Sequence, residues 1–216
     1  MHKDRHYITA CQYHNLVYVG TLKCASTFFY FNFIQELKWA EINWQDINWE
    51  KYHVFGHIQD PVVRRHKAIA ERLSMFNLEK FYFDNRSLQK FLQDSIILDQ
   101  HGETYCNRYG SAVNKIDWIP LIGESKEIIR LTEMCMRHYM PQLPKIEWNF
   151  NYANASTDIQ KKLQLHLENM WNVSLYCKEL TGWKKHQLAD DIELYGHVVE
   201  KFNPSASDWK LISWLQ

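Results

Sequence analysis

The chain has 216 residues, 46% hydrophobic and 23% charged, with only seven Gly and five Pro. This excludes disordered, fibrous and low-complexity classes and supplies enough apolar material for a buried core, so a single domain over residues 1–216 is expected. Lys+Arg and Asp+Glu both total 25, so nothing global points to nucleic acid or an acidic membrane, and any anion site must be local.

Five Cys stand at positions 11, 24, 106, 135 and 177, an odd number without a CxxC pair, which fits reduced thiols better than a disulfide framework. The opening MHKDRHYITACQYHN lacks the apolar run of a secretory signal. No stretch approaches the roughly 20 apolar residues of a membrane span. A soluble, cytoplasmic protein without a transmembrane segment is expected. The 11 His include no set with zinc-ligand spacing, so no metal is expected.

In chain order, Leu16-Val17-Tyr18-Val19 is short, apolar and partly β-branched, and Gly20 ends it, which predicts a buried strand. Residues 26–38 read as a helix with Ser26, or else Thr27, as N-cap and Phe29, Phe33 and Leu37 on the buried face. His53–Ile58 predicts a second strand, and Asp60-Pro61 then supplies the cap and first turn of a helix over 62–74. A helix is expected at 87–98. Trp118–Ile122 predicts a third strand, which Pro120 confines to an edge or bulge. Helices follow at 125–139, 156–170 and 188–201. This alternation predicts an α/β fold with a central parallel sheet flanked by helices, and ligands in such sheets bind beyond the carboxyl ends of the strands.

Two strand-to-helix loops carry chemistry. The first, Gly20-Thr21-Leu22-Lys23-Cys24-Ala25-Ser26-Thr27, leads into a helix start, whose amides make a ready anion site. Lys23 adds a full charge, Ser26 and Thr27 add hydroxyl donors, and small residues admit a phosphate to the backbone. It is not a Walker A loop, because Lys23 lies three residues before Ser26 and no second Gly is present. The bland reading is an ordinary βα turn. In the second, Gln59-Asp60-Pro61-Val62-Val63-Arg64-Arg65-His66-Lys67, cations crowd a helix start, a conflict that a bound anion removes. The bland reading there is a solvated basic face paired with Glu71.

Together the loops resemble those of sulfotransferases that use 3′-phosphoadenosine 5′-phosphosulfate (PAPS), most closely the Golgi-type carbohydrate enzymes. The family's Pro-Lys-x-(Gly/Ala)-Ser-Thr-Ser is similar to Leu22-Lys23-Cys24-Ala25-Ser26-Thr27-Phe28, and its Arg-Asp-Pro-x-x-Arg-x-x-Ser to Gln59 through Lys67. Asp99-Gln100-His101, Ile122-Gly123-Glu124 and Asp191-Ile192-Glu193-Leu194-Tyr195 match weaker family elements, so the resemblance runs over about residues 14–202. It implies a P-loop-like three-layer fold. It also implies that Lys23, Cys24, Ala25, Ser26 and Thr27 grip the 5′-phosphosulfate and that Gln59, Arg64 and Lys67 meet the 3′-phosphate. Gln59 and Lys67 stand where the family has Arg and Ser, and Lys67, one turn from Arg64, is expected to return the charge that Gln59 lacks.

The reaction implied moves a sulfuryl group from PAPS to a hydroxyl acceptor, a carbohydrate first, with Lys23 stabilising the leaving phosphate and no metal required. The acceptor needs a general base, for which His101, then His57, then His53 are the candidates, with Glu103 and Glu124 in reserve. Trp39, Trp44 and Trp49 recur at fives and read either as an acceptor platform or as cover for the sheet edge. The competing readings are a P-loop-like phosphotransferase and a non-catalytic nucleotide- or glycan-binding module. The oligomeric state is not legible.

Overall fold

The computed structural model describes residues 9–75, 103–153, 156–172 and 183–201. The helix expected at 87–98 and the candidate base His101 lie outside them. The chain divides into two compact units, one of Met1–Gln59, Tyr109–Asn154 and Leu194–Gln216, the other of Asp60–Arg108 and Ala155–Glu193.

The first unit holds a five-stranded sheet in the order β3-β1-β2-β4-β5. β2 (Leu16–Gly20), β4 (His53–Ile58) and β5 (Asp117–Pro120) are the three strands expected. They pair in parallel, Tyr18 opposite Phe55 and Gly56 opposite Trp118. Pro120 lies on an edge strand, where its missing N–H costs no ladder bond. The all-parallel expectation needs correction, because β1 (Thr9–Tyr13) and β3 (Ala40–Ile42) add an antiparallel margin. The fold is mixed α/β. β1 and β2 form a hairpin turned at His14, which takes a positive φ of 53°.

One face of the sheet is buried by α1 (Ser26–Phe31) and α4 (Ser125–Tyr139). Tyr18, Phe29, Phe33, Phe55, Ile119, Leu131 and Met136 form its core, each 1% exposed or less. Trp39 belongs to this core, stacked on Phe33 at 4.5 Å, so it is no acceptor platform. On the opposite face Trp118 lies against Gly56. A Cβ there would stand 2.9 Å from the Val19 carbonyl and 3.2 Å from the indole, which accounts for glycine inside a strand.

α1 passes directly into a π-helical turn, Asn32–Glu36. The buried Asn32 side chain donates to the Phe28 carbonyl and accepts from the Asn149 N–H at 2.7 Å, tying the 149–152 turn to the helix.

In the second unit α2 (Pro61–Met75) packs on α5 (Asp158–Asn172), with Ile69, Leu73, Leu163 and Leu167 fully buried. A short helix, α3 (Tyr105–Tyr109), was not legible in the sequence. Its first N–H groups, those of Tyr105 and Cys106, donate to the Asp191 carboxylate at 2.7 and 3.0 Å. Asp191 sits on α6 (Trp183–Lys201) and thereby caps a helix 85 residues away in sequence.

Candidate functional site

The first loop leaves the carboxyl end of β2, the middle strand of the sheet. The Cys24 N–H donates to the Thr21 carbonyl at 3.0 Å, closing a tight turn whose third residue is Lys23. Lys23 has φ 66°, a conformation that position usually reserves for glycine. Ala25, two residues on, is also left-handed at φ 55°. Alternating handedness of this kind turns successive amides towards one side, as in anion-binding concavities.

Ala25, rather than Ser26, is the N-cap of α1, and no side chain caps the helix start. Ser26 is instead the first helical residue and is buried, while Thr27 is half-buried. The Cys24 thiol is buried and its amide is used in the turn, so its contribution is to shape the loop. Lys23 is half-exposed. Thr21 is buried beneath the turn, and its hydroxyl pairs with that of Tyr109.

The second loop follows β4. Gln59, buried, ends the first segment of the first unit. Asp60 caps α2 as expected, its Oδ1 accepting from the N–H groups of Val62 and Val63 at 2.8 and 3.0 Å. Those amides are therefore satisfied by a carboxylate, and an anion at this loop depends on side chains. Arg64 is 3% exposed and lies over the Tyr105 ring at 4.6 Å. Burial raises the pKa of Asp191, and the N–H groups of Cys106 and Tyr105, with the Arg64 charge, offset only part of that rise. Lys67 is half-buried.

The histidines divide by environment. His53 and His57 face the same helix, α4, as their four-residue spacing on a strand requires. His53 is exposed and stacks on Tyr139 at 4.0 Å. His57 is 0% exposed, stacks on Phe29 at 3.9 Å, and its Nε2 meets Thr132 Oγ1 at 2.9 Å. The Thr132 hydroxyl gives its proton to the Ile128 carbonyl, so Nε2 of His57 must be the donor. Nδ1 is then a bare acceptor, with no hydrogen-bond partner among the described residues. Burial drives the His57 pKa down to about 3. A base must touch solvent-borne acceptor, and His57 in this position holds the core instead. Glu103 is half-buried just before α3, and Glu124 is exposed at the start of α4.

Trp44 and Trp49, unlike Trp39, are half-buried. They meet edge to face at 5.0 Å, and Trp44 also meets Tyr109 at 5.1 Å, the residue whose hydroxyl pairs with Thr21. The signal that sequence reasoning missed is Tyr109, whose link to the loop spans 88 residues.

Among the described residues no group of three or more His, Cys, Asp or Glu is placed to hold a metal ion, and no helix is long and apolar enough to cross a membrane. Comparison with family models, with characterised proteins and with solved structures finds no match for this chain.

Proposed function

We propose that this protein is a PAPS-dependent sulfotransferase on a P-loop-like fold, moving a sulfuryl group to a hydroxyl acceptor, a carbohydrate first. The observation that supports it most is the Lys23 turn: a cation held in left-handed backbone at the carboxyl end of the middle strand, running into an uncapped helix start. Backbone strain at a non-glycine residue is characteristic of functional sites, and this turn fits a phosphosulfate in charge and in chemistry.

PAPS supplies an activated sulfuryl group. Lys23 would offset the charge that gathers on the leaving phosphate, and the first-turn amides of α1 with the Thr27 hydroxyl would hold its oxygens. The resemblance assigns the 3′-phosphate to Gln59, Arg64 and Lys67. His101 is the residue assigned to take the acceptor's proton, since His57 is sealed in the core.

The second reading is a nucleotide-binding module without transfer. The observation favouring it is that Asp60 occupies the α2 amides and Arg64 is committed to Tyr105.

The test is calorimetric titration, in EDTA, with 3′-phosphoadenosine 5′-phosphate and with ATP. Micromolar binding of the first and none of the second is expected, abolished in Lys23→Ala and weakened in Lys67→Ala. Absence of binding to the first sinks the reading. Binding without transfer to any acceptor selects the module.

A further inference from the structure

We propose that Tyr109 is a positioning residue for the Lys23 turn and acts through the hydroxyl of Thr21. This rests on reading that turn as the phosphosulfate loop.

Left-handed backbone at Lys23 and Ala25 costs free energy and persists only where the surroundings over-determine it. Thr21, at the entry of the turn, is anchored twice. Its carbonyl accepts the Cys24 N–H, and its hydroxyl pairs with the Tyr109 hydroxyl. Both side chains are buried, Thr21 at 0% and Tyr109 at 4% exposure. Breaking a hydrogen bond between two groups shielded from water costs free energy that solvent does not return, which favours the closed pair.

The phenol is itself fixed. Its ring lies edge to face with Trp44 at 5.1 Å and with Trp118 at 5.4 Å. Trp118 is pinned in turn by its Nε1–H donating to the Val113 carbonyl at 2.9 Å. These edge-to-face contacts thus deliver one hydroxyl to one place and hold Thr21 against sliding to relax the turn. Tyr109 need not touch the anion to govern how tightly the loop binds it.

The variants are Tyr109→Phe, Thr21→Val and the hydroxyl-preserving Thr21→Ser. Two readouts are taken: affinity for 3′-phosphoadenosine 5′-phosphate by calorimetry, and amide hydrogen exchange across residues 21–27. Tyr109→Phe and Thr21→Val should each weaken binding about tenfold, and the double variant no further than either alone. Thr21→Ser should bind like the unaltered chain. Exchange should accelerate at 21–27 in the two hydroxyl-less variants, with β4 unchanged. The proposal is overturned if exchange at 21–27 stays as it was, or if β2, β4 and β5 accelerate to the same degree. If the unaltered chain binds no nucleotide, the sulfotransferase reading fails, while the exchange contrast still decides the role of Tyr109.

Discussion

His57 makes the fold acid-sensitive in a way that can be worked out from its surroundings. In the folded chain its pKa is about 3, driven there by burial, against an ordinary value of 6.5. The imidazolium would need an acceptor at Nδ1, and none stands there among the described residues. The unfolded chain therefore takes up a proton below pH 6.5 that the folded chain refuses until about pH 3. Stability is fully present above pH 6.5 and declines as the pH falls towards 3. At one and a half pH units below the ordinary value the loss is about 2 kcal/mol, at roughly 1.4 kcal/mol per unit. Urea unfolding at pH 8 and pH 5, followed by tryptophan fluorescence, measures it. His57→Gln keeps a donor for Thr132 and cannot titrate. The variant should start less stable at pH 8, since it forfeits the stack on Phe29, and should lose about 2 kcal/mol less than the unaltered chain on going to pH 5. His66, which burial takes down to about 4, adds to the slope in both chains and cancels in the difference. If His57→Gln keeps the whole acid slope, the reasoning is refuted.

Two more predictions test the loop and its neighbours. Ala25→Gly removes the steric cost of a left-handed residue at the start of α1 and should raise stability by about 0.5–1 kcal/mol in the same unfolding assay, where Ala25→Val should lower it. Asp191→Asn turns an amide donor or a weaker acceptor towards the N–H groups of Tyr105 and Cys106, and should cost about 1–3 kcal/mol, with faster amide exchange at residues 105 and 106.

The three parallel strands were legible because each is an apolar, β-branched run that closes on a turn residue: Gly20 after β2, Asp60-Pro61 after β4 and Pro120 within β5. α4 matched its expected span, Ser125–Tyr139, since its buried residues Leu131, Cys135 and Met136 recur at helical spacing. β1 was not legible. Thr9-Ala10-Cys11-Gln12-Tyr13 has no strand alternation, and its conformation comes from pairing with β2 on one side and β3 on the other. β3 is three residues at an edge, two of them exposed, with no local pattern to read.

The same division runs through the candidate site. Sequence alone determined that a lysine-bearing loop with small residues joins a buried strand to a helix, because strand, turn and helix signals are local. It also determined that Asp60 caps α2, since an Asx cap acts within three residues. It did not say that Ala25 takes the cap position in place of Ser26, that His57 is sealed against Phe29 while His53 meets solvent, or that Trp39 enters the core while Trp44 reaches Tyr109. Each of these depends on which residue arrives from elsewhere in the chain. Thr132 comes to His57 across 75 residues, and Tyr109 to Thr21 across 88. Burial and hydrogen-bond partnership are set by chain segments meeting in three dimensions, so only the tertiary structure decided which histidine packs and which hydroxyl holds the loop.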